Sequence, residues 1–351
     1  MHFTATFGPR PCNPAQLLEE LSSFVPLTEP NNSLFDAPSP DELATKLRSI
    51  CNSAPGQDRL EYCHLRLLDP KCEILRLLDP KCEMHVPAAW KSATTILIHK
   101  KEDTSDASNF RPITLMSCLY KLLMAVLSKR MTSFTIQNDL LSNEQKSAHP
   151  SEGCYEHDFL LESIVNDARR QPCPPSPLMF EMPLAASHMM PSSPPSPTWV
   201  SLSHLHWSFH RSSHPLGKTQ PIPIHSGVKQ GCPLSAILFN LSMELILHKC
   251  NAQAQELPCG SLQHHGQSVS ILTYADDLVI LARNKASLQS LLNVVSSAAD
   301  VLHLRFRPDK CTSLSLNKHG PWIQSNALLV QGEPIPDLQR ENHYRYLGIP
   351  M

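Results

Sequence analysis

Ile271-Leu272-Thr273-Tyr274-Ala275-Asp276-Asp277-Leu278-Val279-Ile280-Leu281 sets two adjacent carboxylates between two apolar runs. Short apolar runs on either side of a polar step read as strand, tight turn, strand, with the acids at the tip. Hard divalent cations take oxygen ligands, and two-metal phosphoryl transfer needs several carboxylates converging on a close pair of ions. Yet from Ala168 to Ala275 the chain contains no aspartate. The pattern points to metal-assisted phosphoryl chemistry that is one acidic ligand short.

Helices are expected on both sides of this hairpin. Pro233 to Leu247 spaces Leu234, Ile237, Leu238, Leu241, Leu245 and Ile246 on one face, with Pro233 suited to a first turn. Leu288 to Leu302 is a second amphipathic stretch, and Leu304 to Leu316 reads as strand–turn–strand with Lys310 at the turn. Further upstream, Thr94 to Ile98 is a strand candidate that leads into His99-Lys100-Lys101. Leu115 to Met131 and His157 to Arg170 carry helical patterns, each with two basic residues near its end. Nearer the N-terminus, Gln16 to Val25 and Asp41 to Ile50 have helical spacing, and Ser39-Pro40-Asp41-Glu42 resembles a helix start. Leu65 to Glu73 recurs without change at Leu75 to Glu83. Two copies are too few for a solenoid, so the repeat reads as a duplication in the coding DNA or as two tandem helical turns.

Composition narrows the class. The chain has 351 residues, 41% of them hydrophobic, enough for one large or two modest domains with packed cores. Its 30 basic and 32 acidic residues leave no global positive field, which counts mildly against strong autonomous nucleic-acid binding. Twelve cysteines include no C-x-x-C pair, so no zinc ribbon is expected, and their scatter suits reduced thiols inside a cell. Neither a signal peptide nor a membrane span is expected. The 32 prolines exceed the usual share of about 5%. They crowd residues 171–216, where Glu181 is the sole acid. That stretch reads as a disordered linker, odd inside a compact domain. Its His204, His206, His210 and His214 are not expected to bind zinc.

The order of motifs is specific. Ser226-Gly227-Val228-Lys229-Gln230-Gly231-Cys232-Pro233-Leu234-Ser235, then a helix, then Tyr274-Ala275-Asp276-Asp277, resembles the reverse transcriptases of non-LTR (LINE-type) retrotransposons. Phe110-Arg111-Pro112-Ile113 resembles that family's fingers motif, Asp309-Lys310-Cys311 its later lysine motif, and Tyr346-Leu347-Gly348 the approach to its thumb. The resemblance implies an α+β fold: the fingers and palm of a right-hand polymerase, an antiparallel sheet backed by helices, with the thumb truncated. It implies a helical extension at 1–50, fingers and first palm at 51–170, palm at 217–316, and the start of thumb or connection at 317–351. It implies RNA-directed DNA synthesis with Mg²⁺ or Mn²⁺, an RNA template, a DNA primer and deoxynucleoside triphosphates as partners. Asp276 and Asp277 would hold the metal and Lys310 would help at the leaving pyrophosphate. Lys100 and Arg111 would grip the triphosphate, and Gln230 and Gly231 would floor the templating base.

Family members place an aspartate-bearing strand between the helix ending at Arg170 and the Ser-Gly-Val block. Here that place is taken by 171–216, and Glu181, beside Met182 and Pro183, makes a poor central strand. Codons legal for Leu178 to Val200 can be chosen so that the frame two nucleotides on reads D-V-R-N-A-F-G-S-I-P-H-D-A-L-F-A-T-L-A-H-M-G, with the expected aspartate. The stretch is therefore expected to be read out of frame, its missing strand leaving sheet edges exposed. Three functions stay open: a degenerate, impaired reverse transcriptase; an active one whose 171–216 segment is wrongly inferred; and a non-catalytic nucleic-acid-binding remnant.

Overall fold

The computed structural model describes residues 36–73, 92–100, 109–147, 153–170, 178–183, 207–209, 223–224, 227–315, 328–337, 345–347 and 349–350, with isolated positions at 19–20, 22, 34 and 104–105. The chain divides into two compact units, Met1–Leu140 with Ser187–Leu238 and Leu141–Ala186 with Phe239–Met351. In chain order the elements begin with α1 (Pro40–Ser49), α2 (Tyr62–Leu68), β1 (Ser92–His99), β2 (Phe110–Leu115), α3 (Cys118–Gln137), α4 (Gly153–Arg170) and β3 (Leu178–Pro183). They continue with β4 (Trp207–Phe209), β5 (Pro223–Ile224), α5 (Ser235–Glu256), β6 (Leu262–His264), β7 (Gln267–Val269), β8 (Ile271–Tyr274), β9 (Asp277–Ala282) and α6 (Lys285–Val301). The last are β10 (Thr312–Ser315), β11 (Leu329–Val330), β12 (Glu333–Pro334), β13 (Arg345–Tyr346) and β14 (Ile349–Pro350).

In the first unit, α1 starts where its cap predicts. Ser39 accepts from the Glu42 backbone N–H, and Pro40 opens the helix. Leu43, Ala44 and Leu47 of α1 join Tyr62, Leu65, Cys118, Leu122 and Val126 in one apolar cluster. The expected end of α3 near Met131 is corrected, because the helix continues to Gln137. Arg130 does not serve as a terminal cation. Its Nε and Nη2 donate to Glu42 Oε1 and Oε2 at 2.8 and 2.6 Å, a fork that ties α3 to α1 and holds the Glu42 carboxyl below its usual range. The sheet order is β2-β1-β4-β5, antiparallel except for the short β1–β4 pair. The first Leu-Arg-Leu-Leu copy ends α2, while its repeat lies outside the described residues, as does most of the helix expected at 16–25.

The second unit holds an antiparallel sheet in the order β10-β3-β9-β8. Every residue of β9 after Asp277 is buried. Val279 and Leu281 pack with Leu161, Ile164 and Val165 of α4 and with Leu272 of β8. By strand alternation, Leu278, Ile280 and Ala282 face the opposite side. Helix α6 buries Leu288, Leu291, Leu292, Val295, Ala298 and Ala299 and packs on β9 and β11. Within 171–216, most of which lies outside the described residues, the expected missing strand and exposed edge are corrected over 178–183. Leu178–Pro183 is a strand, paired to β9 over six residues from Leu178↔Ala282 to Pro183↔Asp277 and to β10 on its other edge. Its run of apolar residues lets it lie between two neighbours despite a terminal proline, which sits where the ladder ends. The edge of β9 is therefore covered. The lysine-bearing segment also differs from the expected strand–turn–strand: Pro308–Lys310 is a 3₁₀ turn feeding β10.

Candidate active site at the acidic hairpin

Strands β8 and β9 pair from Ile271↔Ile280 to Tyr274↔Asp277, which leaves Ala275 and Asp276 as a two-residue loop. Ala275 takes φ +53°, a left-handed backbone that a side chain disfavours. Such strain persists only where surroundings hold it. Here the Ala275 N–H donates to Gln145 Oε1 at 3.1 Å. Gln145 is fully buried, and its segment runs along the outer edge of β8: Thr273 N–H donates to Glu144 O at 2.9 Å and Lys146 N–H to Thr273 O at 3.0 Å. Ser147 extends the network. Its N–H donates to Gln145 Oε1 at 3.1 Å, and its Oγ lies 2.8 Å from both Gln145 Oε1 and Asn240 Oδ1, with one proton to give to either. Asn240 Nδ2, on α5, donates to Ser147 O at 2.7 Å. A buried polar network thus fixes the hairpin tip from beneath. Sequence reasoning missed Gln145, Ser147 and Asn240. The first two stand in a polar stretch between helices that looks like an ordinary loop.

The tip is electrostatically tense. Burial raises the carboxyls of both Asp276 and Asp277, and the neighbouring Asp276 charge helps push Asp277 up to about 6. Tyr274 is raised too, by a hydrogen bond with Cys154 at the start of α4 and then by burial. Two crowded carboxylates offer a hard oxygen donor set that suits one magnesium-class cation. A pair of ions needs more. The adjacent strand puts Pro183 in register with Asp277, Met182 with Leu278 and Glu181 with Val279, and no aspartate lies on it.

Lys310 is exposed on the 3₁₀ turn before β10. The β10–β3 ladder ends at Thr312↔Glu181, and the 3₁₀ turn with Lys310 contacts β3 at the end of the sheet where Pro183 pairs with Asp277. Asp276, Asp277 and Lys310 thus lie toward one end of the same sheet. The other expected site residues belong to the first unit. Arg111 is exposed on β2, paired with Ile98, and Lys100 follows β1 with its N–H on Asn109 O at 2.8 Å. Gln230 and Gly231 lie against β2: Thr114 N–H donates to Gln230 O at 3.0 Å, and Gly231 has φ +108°. A Cβ at Gly231 would meet Thr114 O at 2.8 Å, so glycine is required both by the backbone angle and by the close approach. Beside them Lys229 is desolvated enough that burial drives its ammonium down to about 5.

A family model described as Reverse transcriptase (RNA-dependent DNA polymerase) matches residues 190–351. The chain is also similar to the Pol polyprotein of the type-1 retrotransposable element R2 of Popillia japonica, 27% identical over 287 residues, 75% of this chain and 38% of the relative. The chain thus resembles the reverse transcriptase domains of non-LTR retrotransposon polyproteins. The R2DM polyprotein of Drosophila melanogaster is 24% identical over 330 residues, 86% of this chain and 29% of the relative. The RNA-directed DNA polymerase of the mobile element jockey, from the same fly, is 25% identical over 329 residues, 85% of this chain and 33% of the relative. The chain spans roughly a third of the length of these curated relatives. Among its described residues, no helix is long and apolar enough to cross a membrane.

Proposed function

We propose that the second unit is the palm and the first the fingers of an RNA-directed DNA polymerase, and that the site as it stands is catalytically impaired. The observation that supports this most is the strand register that aligns Asp277 with Pro183 where a third carboxylate is needed. In this reading Asp276 and Asp277 bind the cation, which when bound activates the primer hydroxyl and neutralises the triphosphate. Lys310 donates a proton or a positive charge toward the departing pyrophosphate. Lys100 and Arg111 bind triphosphate oxygens, while Gln230 and Gly231 shape the floor for the templating base. Residues 317–351 begin the thumb. A site lacking one ligand loses charge neutralisation where such enzymes gain most of their rate.

The aspartate gap, the proline excess and the recoverable D-V-R-N-A-F string together support a frame error across 171–216. Primer extension on an RNA template with Mg²⁺ or Mn²⁺ tests the reading. The chain as written should extend poorly or not at all, and a version carrying the frame-corrected segment should extend in an Asp276-dependent way. Equal extension by both, lost on Asp276→Ala, would overturn the impairment.

A further inference from the structure

A second cluster of metal-binding chemistry lies in the same unit as the acidic hairpin but on other elements. Asp167, near the end of α4, stands beside His264 and His265 of the β6–β7 hairpin. One potential ligand atom from each of the three lies within 4.8 Å of the others. His264 is buried, Asp167 is half-exposed and His265 is exposed. The His264 Nδ1 to Asp167 Oδ2 distance is 3.1 Å. Two ligands on one tetrahedral zinc, each at roughly 2.0–2.1 Å, stand about 3.3 Å apart, so this pair is already near coordination spacing. The two imidazoles meet edge to face with centroids 4.3 Å apart.

The scaffold beneath is fixed. His264 pairs with Gln267, and the two intervening residues, His265 and Gly266, have φ +48° and +81°. Positive φ at both central positions is the type I′ hairpin turn, which sets the direction of both histidines. Leu161, Ile164 and Val165 of α4 share one buried cluster with Val269 of β7, with Leu262 of β6 packed against it. Asp167 is thereby held to the hairpin by apolar packing.

We infer that Asp167, His264 and His265 form a site for a divalent transition metal of the zinc class. Two imidazoles and a carboxylate suit Zn²⁺ far better than Mg²⁺, which prefers oxygen alone. On binding, the proton that His264 Nδ1 donates to Asp167 leaves to solvent or moves to Nε2, the freed Nδ1 lone pair takes the metal, and water completes the shell. The ion would staple the end of α4 to the β6–β7 hairpin. The cysteine spacing that leads away from a zinc ribbon has no bearing on a His/Asp site.

Zinc titration of the full, chelator-stripped chain against a chromophoric chelator tests this. With the other 16 of the chain's 18 histidines and its 12 cysteines contributing, the reading is the difference between wild type and variants. His265→Asn is the main variant, since Asn-Gly is a favoured type I′ pair and keeps the turn. Asp167→Ala is the second. Each should lose one tight zinc equivalent or bind it at least about tenfold more weakly, and zinc should raise the thermal midpoint of the wild type only. Unchanged stoichiometry and affinity in both variants would overturn the site, as would a Co²⁺ spectrum of the lost equivalent that shows thiolate charge transfer.

Discussion

At Gly231 a single hydrogen atom does what no side chain can. Its φ of +108° and the 2.8 Å from a would-be Cβ to Thr114 O leave no relaxed position for a methyl group. Gly231→Ala should therefore lower stability by about 1–3 kcal/mol, read as a smaller urea midpoint at unchanged m. Two buried titrating groups in the second unit pull in opposite directions. Glu244, 2% exposed and bonded by Ser142, is raised by burial from 4.5 to about 7. Between those values the folded chain keeps a proton that the unfolded chain has released, so rising pH costs stability. His157, 1% exposed, is lowered by burial from 6.5 to about 4. Between those values the unfolded chain holds a proton that the folded chain refuses, so rising pH adds stability. Relative to the parent chain, Glu244→Gln should remove a loss on the order of 3 kcal/mol between pH 4.5 and 7, and His157→Gln should remove a gain of similar size between pH 4 and 6.5, both measurable by urea titration across pH.

Among the elements, β3 is the most consequential. Its pairing with β9 ends at Pro183↔Asp277, so Pro183→Asp would set an acid in backbone register with the hairpin acids. That variant should bind Mg²⁺ at least tenfold more tightly than the parent chain by calorimetry, and Asp276→Ala in the same background should abolish the gain. Unchanged Mg²⁺ affinity would show that register alone does not complete the site. The hairpin of β8 and β9 was legible because two apolar runs flank a polar pair, and α1 because Ser39-Pro40 is a strong start signal. The end of α3 was misread because Lys129 and Arg130 look like terminal cations, whereas Arg130 is spent on Glu42. β3 was illegible because proline and methionine weigh against a strand, and only the flanking partners β9 and β10 make it one. Gln145 was illegible for a related reason: its partner Ala275 lies 130 positions away, and nothing local marks it.

For the molecule as a whole, charge sets the expected behaviour toward nucleic acid. A formal net charge of −2 provides little counterion release. The chain should bind single-stranded RNA no tighter than about 10⁻⁶ M at physiological salt, with affinity unchanged by Asp276→Ala. Filter binding across a salt series checks this, and tight binding with a steep salt slope would favour a nucleic-acid-binding remnant instead. The family resemblance was legible because a few short motifs occur in order over much of the length, which needs no knowledge of packing. The sheet that links the acidic hairpin to the lysine-bearing turn has β3 between them, a strand that carries neither motif. Backbone amides make the same ladder whatever side chains they carry, so a decaying gene keeps its architecture longer than its chemistry. Shape alone would therefore count among working polymerases chains that can no longer copy anything.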